Sequence, residues 1–247
     1  TGQTILSGMG ELHLEVVVDR LRREFNVAAR VSQPQVAYCE TITRPAQGEG
    51  RLVRQTGGRG QFAVVMLAVE PQPAGTGSII ENRIVGGAIP RQFLPAVEAG
   101  IKEGLAMGAL IGQPIIDVKV SILDGRFHEV DSSEQAFRTA AAMALKDAVL
   151  RAGPIILEPI MKVEVIAPEE YIGGILGDLS SKGGTVIGLD PRVGGMQGII
   201  AHVPLAAMFG YAGSLRSITQ GRGTFVMEFD HYAEVPAKVA EELRRVA

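Results

Sequence analysis

The sequence predicts an α+β protein with more than one domain, on the basis of its length, its composition and two kinds of apolar periodicity. The chain has 247 residues, whereas most domains hold about 100–150. Apolar residues make up 46% of it and charged residues 21%, which predicts a buried core and excludes wholesale disorder. Segments of alternating apolar residues, typical of strands, occur between segments with the i, i+3, i+4 spacing of amphipathic helices.

Composition and charge exclude several kinds of protein. There is no run of about 18 apolar residues, so no membrane helix is expected. The first residues lack the basic start of a secretory signal. The single cysteine, Cys39, excludes a disulfide framework and favours a cytoplasmic location. The net charge of −3 argues against coating of nucleic acid by bulk electrostatics, so any contact with RNA must be local.

The first segment, residues 1–37, has the pattern of half a domain. It holds a strand candidate at Thr4–Ser7, a helix, and a second strand candidate at Ala28–Val31. The apolar face of the helix consists of Leu14, Val17, Val18, Leu21 and Phe25. One helix and two short strands cannot bury a core alone, so we expect the chain to begin inside a domain.

The middle segment has two strong strand candidates, Phe62–Val69 and Ile115–Leu123. In the second, every other residue is apolar, which predicts one buried and one solvent-facing side. The residues expected to face solvent are Asp117, Lys119 and Ser121.

Two helices are predicted in the same segment, over residues 95–107 and 132–151. The second opens with a capping box, in which Asp131 caps the helix and Glu134 is the third helical residue. Its apolar side is rich in alanine, which predicts close packing on a sheet.

From Glu158 onward the predicted order is strand, helix, strand, strand, helix, strand. The apolar patterns place these elements at residues 162–166, 172–179, 186–189, 198–203, 205–215 and 225–229. That order is the split βαβ arrangement of ferredoxin-like domains.

Motifs for nucleotide hydrolysis and for common hydrolases are missing from the sequence. The segment nearest to the phosphate-binding pattern G-x-x-x-x-G-K-[ST], Gly177–Gly183, has Lys182 on the wrong side of its glycine. Neither G-x-S-x-G nor H-E-x-x-H occurs. Nucleotide hydrolysis by this chain is therefore not expected. We predict that the chain is no enzyme and has no catalytic residue, cofactor or metal of its own.

Two clusters of glycine and arginine each precede a strand candidate. They are Gly57-Gly58-Arg59-Gly60-Gln61 and Gly221-Arg222-Gly223. Glycines allow backbone N–H groups to converge on an anion, and arginine offers a planar donor for phosphate. The alternative for each cluster is a glycine-rich turn with a solvated arginine.

His128 lies in the loop between the second strand and its following helix. An imidazole there can stack on or hydrogen-bond to an unpaired base, with Arg126 close by for phosphate. Two alternatives stay open: a plain surface histidine, and a metal site built from His128, Asp131 and Glu134. The remaining candidates are expected to be structural or inert, and they are His13, Cys39, His202 and His231.

Five stretches of the sequence together resemble one family in content and in order. They are Gly8–Glu15, Gly57–Gln61, His128–Glu134, Leu157–Val165 and Met208–Ala212. With these stretches the chain resembles the C-terminal part of elongation factor G, the bacterial-type ribosomal translocase, over nearly all of its length.

The resemblance implies three domains and a missing part. Residues 1–37 resemble the end of domain III, residues 38–157 domain IV, with a ribosomal-protein-like β-α-β fold, and residues 158–247 the ferredoxin-like domain V. A GTPase domain that binds GTP and Mg²⁺ would precede them. The implied partners of this monomer are the ribosome, with the rRNA of both subunits, and the tRNA–mRNA duplex, and the implied process is translocation during protein biosynthesis.

In the family, domain IV mimics an anticodon arm and its end enters the decoding region of the A site. Carried over by position, that end comprises residues 57–61 and 125–130, which we name the tip. The residues that the resemblance assigns to contact with the tRNA–mRNA duplex are Gly57, Gly58, Arg59, Gly60, Gln61, Gly125, Arg126, Phe127, His128, Glu129 and Val130.

Two departures from the family pattern leave alternatives open. Phe62-Ala63 stands where members often have Tyr-Gly, and Arg126 stands where a small residue is common. The alternatives are a diverged paralogue, a ribosomal protection protein, or a stand-alone RNA-binding protein without GTPase activity. A small metal-dependent or acid–base enzyme built on His128 is the rival from another class.

Overall fold

The computed structural model describes residues 4, 6, 11–28, 30–31, 35–54 and 60–246. The chain divides into two compact units, one formed by residues 1–37 with 159–231 and the other by residues 38–158 with 232–247.

The predicted first helix is confirmed as α1 (Glu11–Arg23). The strand candidate at 28–31 is wrong for its described residues, since Ala28, Arg30 and Val31 belong to no strand. The candidate at 4–7 falls partly outside the described residues, and its described members, Thr4 and Leu6, are not in a strand.

The unit of residues 38–158 contains one four-stranded sheet with two helices on one face. Its elements are β1 (Cys39–Ile42), β2 (Ala46–Arg54), β3 (Gln61–Pro71), β4 (Ile79–Asn82), α2 (Leu94–Met107), β5 (Val118–Arg126) and α3 (Glu134–Arg151). The sheet has the order β2-β3-β5-β4, in which only β4 and β5 are parallel. Their crossover contains α2, so the predicted β-α-β character is present.

The helix α3 packs on β2 at backbone distance, as its alanines predict. A Cβ added to Gly50 would lie 1.8 Å from the carbonyl oxygen of Ala140, and one added to Gly48 would lie 2.3 Å from the backbone nitrogen of Ala148. Both alanines are fully buried. Only glycine on the strand and small residues on the helix allow this approach.

The predicted solvent-facing side of β5 is wrong for two of its three residues. Asp117 is buried, has a φ of +56° and lies just before the strand. Its carboxylate accepts hydrogen bonds from the backbone N–H groups of Gly75 (2.9 Å) and Gly77 (2.8 Å), which shapes the loop after β3. Ser121 is also buried, and its hydroxyl has no hydrogen-bond partner among the described residues.

A buried carboxylate orders the loop after α2. Glu40 on β1 is fully buried and accepts hydrogen bonds from four backbone N–H groups at 2.7–3.3 Å. The donors are Ala109, Leu110, Ile111 and Gln113. Four N–H groups compensate for the loss of hydration of the charge.

The second sheet has the predicted ferredoxin-like arrangement. The elements are β6 (Pro154–Pro168), α4 (Ile172–Ser181), β7 (Thr185–Arg192), β8 (Met196–Pro204), α5 (Tyr211–Thr219) and β9 (Thr224–Glu234). The strands follow the order β9-β6-β8-β7, and the start of β6 also pairs with β1. The final helix is α6 (Ala237–Val246).

One predicted helix of this segment is interrupted. The residues expected to form a helix over 205–215 form a 3-10 turn at Leu205–Met208 and then α5. Gly210 between them has a φ of +75°, a left-handed conformation that a right-handed helix cannot include.

Candidate nucleic-acid interface

The two loops of the tip meet at one end of the four-stranded sheet. The strand β3 begins there with Gln61, which pairs with Arg54 at the end of β2. The strand β5 runs antiparallel to β3 and ends there with Arg126, which pairs with Val64. The structure therefore brings together Gly60, Gln61 and residues 125–130, whereas Gly57, Gly58 and Arg59 lie outside the described residues.

Asp131 joins the two loops by accepting two hydrogen bonds, and its carboxylate also lies close to His128. Its Oδ1 accepts from the backbone N–H of Gly60 (3.1 Å), and its carbonyl oxygen accepts from the N–H of Phe62 (2.9 Å). Its Oδ2 lies 3.4 Å from Nδ1 of His128. A Cβ added to Gly60 would lie 2.9 Å from the carboxyl carbon of Asp131, so the loop requires glycine at this position.

The predicted capping box is wrong in its register. Ser133 is the N-cap of α3, with extended backbone angles, and its hydroxyl accepts from the N–H of Ala136 at 3.2 Å. Glu134 is therefore the first helical residue. Asp131 is free of the capping role and orders the tip instead.

Ser132 is a site residue that the sequence did not reveal. It is 8% exposed, and its hydroxyl donates to the carbonyl oxygen of Phe62 (2.7 Å) and accepts from the N–H of His128 (2.8 Å). It thus ties the His128 loop to the first residues of β3. In the run Asp-Ser-Ser-Glu each of the first three residues can cap a helix, so the pattern cannot show which one faces inward.

His128 presents an exposed ring on this ordered base. Its side chain is 55% exposed. Its Nδ1 accepts from the backbone N–H groups of Val130 (3.4 Å) and Asp131 (3.3 Å). Since Nδ1 is the acceptor in these contacts, Nε2 is the ring nitrogen that can donate to a phosphate or a ribose hydroxyl. The ring of Phe62 lies beside it, at a centroid distance of 6.1 Å.

The remaining described residues of the tip combine apolar and polar surface. Phe127 is 45% and Val130 61% exposed, and the exposed side chains of Gln61, Arg126 and Glu129 lie in the same two loops. Gly125 differs from them, because a Cβ there would lie 2.5 Å from Ile89. Glycine at position 125 is thus required for packing beneath the tip.

The predicted metal site on His128 and the second glycine–arginine cluster differ from the tip. The donor atoms of His128, Asp131 and Glu134 do not form a metal-sized group of three; among the described residues such a group is formed only by His202, Asp230 and His231. In the second glycine–arginine cluster, Nη1 of Arg222 pairs with Oε1 of Glu170 at 2.6 Å. That arginine thus has an acidic partner within the protein.

Two further expectations concern histidine and cysteine. Burial raises the pKa of the Cys39 thiol, which keeps it protonated and agrees with the expectation that it is inert. His202 and His231 were expected to have no constellation, and this is wrong because both contact Asp230. No sequence motif indicates this cluster, because the two histidines are 29 positions apart in the sequence.

Comparisons with known proteins agree with this architecture. Residues 34–153 match the family model described as elongation factor G, domain IV. Residues 155–243 match that of the elongation factor G C-terminus, and residues 1–33 that of elongation factor G, domain III. The matches and the fold define a chain built from domains of the elongation factor G type.

A solved structure gives the same result. This chain is similar to a protein from Thermus thermophilus whose crystal structure is known, with 40% sequence identity and a TM-score of 0.85. The match covers 97% of this chain and 36% of the Thermus chain. The chain belongs to the elongation factor G family. It spans about a third of the length of that solved relative. None of the helices in the described part of the chain is long and apolar enough to cross a membrane.

Proposed function

We propose that this chain is the ribosome-contacting part of a GTP-dependent translocase, and that its tip enters the decoding region of the A site. The observation that carries the proposal is the convergence of two loops on Asp131 and Ser132, which holds an exposed His128 at the end of a rigid sheet. Membership of the elongation factor G family supports the ribosome as the partner.

The chemistry of the tip suits a partner whose sequence varies. Duplex RNA is recognised by its shape, its 2′-hydroxyls and its phosphates. His128 and Gln61 offer hydrogen-bond donors, Arg126 offers a charge for phosphate, and Phe127 offers a stacking surface. Because these groups contact the backbone and not the base sequence, the tip binds any codon–anticodon duplex of the right geometry.

The proposal includes the division into domains given by the resemblance. Residues 1–37 are the end of domain III, residues 38–157 are domain IV and residues 158–247 are domain V. GTP and Mg²⁺ bind a separate GTPase domain, and the protein acts as a monomer in the cytoplasm on rRNA of both ribosomal subunits. The matched regions 1–33, 34–153 and 155–243 support this division.

The salt dependence of ribosome affinity tests the contact of Arg126 with phosphate. Each phosphate contact adds about one unit to the slope of log affinity against log salt concentration. We expect Arg126→Ala to reduce the slope by about one unit in a complete translocase with this sequence. Lys102→Ala, which removes the same charge from the exposed side of α2, is the matched control and is expected to leave the slope unchanged. An equal slope for the Arg126→Ala variant and the wild type contradicts the phosphate contact.

A further inference from the structure

Three side chains of the types that bind metal ions lie close together on the second sheet, in the unit of residues 159–231. His202 lies on β8, and Asp230 and His231 lie on β9. Each residue offers one donor atom, and the three atoms lie within 4.8 Å of one another. The strand β6 runs between β8 and β9, so the cluster links two strands that are not neighbours.

One distance in this cluster already matches a tetrahedral metal ion. Zinc binds imidazole nitrogen and carboxylate oxygen at about 2.0–2.2 Å, which places two ligand atoms about 3.3–3.6 Å apart at the tetrahedral angle. Nε2 of His202 lies 3.5 Å from Oδ2 of Asp230. Nδ1 of His231 lies 2.6 Å from the same oxygen, a hydrogen-bond distance that a small side-chain rotation would widen when a metal ion replaces the proton.

The exposure of the three side chains also suits a metal ion. The three side chains are 29%, 35% and 44% exposed, so an ion can enter and water can occupy the fourth position. The rings of the two histidines lie edge to face with centroids 5.4 Å apart. Lys162, which pairs with His202 across the sheet, is the nearby cation. Its Nζ lies 3.7 Å from Oε1 of Glu228, and its charge also acts on Asp230.

We propose that His202, Asp230 and His231 bind a divalent transition-metal ion of the zinc type, with the fourth position open to water. Two imidazoles and one carboxylate are a donor set that zinc prefers over calcium or magnesium. The bound ion crosslinks β8 and β9 across β6. The site is independent of the tip and of the proposed translocation activity.

Calorimetric titration of the 247-residue chain with zinc chloride tests the site. We expect one equivalent of zinc to bind, and at least about tenfold weaker binding in each of the variants His202→Gln, His231→Gln and Asp230→Asn. The matched control His13→Gln, at a histidine of α1, is expected to bind zinc as the wild type does. Zinc is also expected to raise the unfolding temperature of the wild type and of the control, but not that of the three variants.

Circular dichroism of each variant without zinc establishes that it is folded before binding is compared. Three conservative variants at separate positions keep the test valid if one of them fails to fold. Absence of a stoichiometric zinc ion from the wild type overturns the proposal. Undiminished affinity in the folded variants at positions 202 and 231 also overturns it, because the ion would then bind elsewhere.

Discussion

Two buried serines in the same unit predict opposite results for the same substitution. Ser132 is 8% exposed and makes two hydrogen bonds, whereas the hydroxyl of Ser121, which is 2% exposed, has no partner among the described residues. Ser132→Ala leaves the N–H of His128 and the carbonyl of Phe62 without this partner. At about 1 kcal/mol for each lost bond, the expected cost is about 2 kcal/mol. Ser121→Ala removes a buried, unpaired hydroxyl and is expected to gain up to about 1 kcal/mol.

Urea unfolding followed by circular dichroism measures both variants, with the slope against urea concentration checked for constancy. Amide hydrogen exchange gives a local readout, because Ser132→Ala is expected to speed exchange at the N–H of His128, and Ser121→Ala is expected to leave it unchanged. Equal destabilisation by the two substitutions would refute the hydrogen-bond argument. A Ser132→Ala variant as stable as the wild type would show that this serine does not hold the tip together.

Four other substitutions test the packing and the buried carboxylates. Gly50→Ala is expected to cost about 3 kcal/mol or more in unfolding free energy, because its Cβ would lie 1.8 Å from the carbonyl oxygen of Ala140; Gly177→Ala, in a helix with open space around it, is expected to gain about 0.5–1 kcal/mol. Glu40→Gln is expected to cost about 3 kcal/mol in urea unfolding, because an amide has one acceptor atom for four N–H donors. Burial raises the pKa of Glu158, so the folded state holds that proton more tightly and loses stability as the pH rises through the raised pKa. Glu158→Gln is therefore expected to have a higher unfolding temperature than the wild type at about pH 7 and a similar one at about pH 4; a gain of equal size at both pH values would contradict this.

Periodicity predicted the elements that bury one continuous apolar face. The ferredoxin-like order was predicted because each of its six elements has its own apolar pattern, and the packing of α3 was predicted from its alanines. The short strands β1 and β4 have only four residues each, too few to show a period. Asp117 and Ser121 were misplaced because alternation cannot distinguish a polar residue in solvent from one that is buried.

The sequence predicted the residues of the candidate site but not the contacts that hold them in place. His128 and the residues of the tip were identified by resemblance, and the contacts that hold them depend on Ser132 and Asp131. Which side chain of a polar run turns inward is decided by the neighbouring strand, so no local signal in the sequence reveals it. The cluster of His202 and His231 is likewise formed by pairing of distant strands.

Translocation kinetics of a His128→Ala variant test the central claim most directly. The variant is made in a complete translocase with this sequence, and translocation and ribosome-stimulated GTP hydrolysis are measured on the same preparation. Translocation is expected to slow about tenfold, the effect of one lost hydrogen bond of about 1–1.5 kcal/mol, while hydrolysis stays near the wild-type rate. Lys102→Ala is the control and is expected to change neither rate. If hydrolysis falls in parallel and translocation per hydrolysed GTP is unchanged, the assignment of the tip to the decoding region is contradicted.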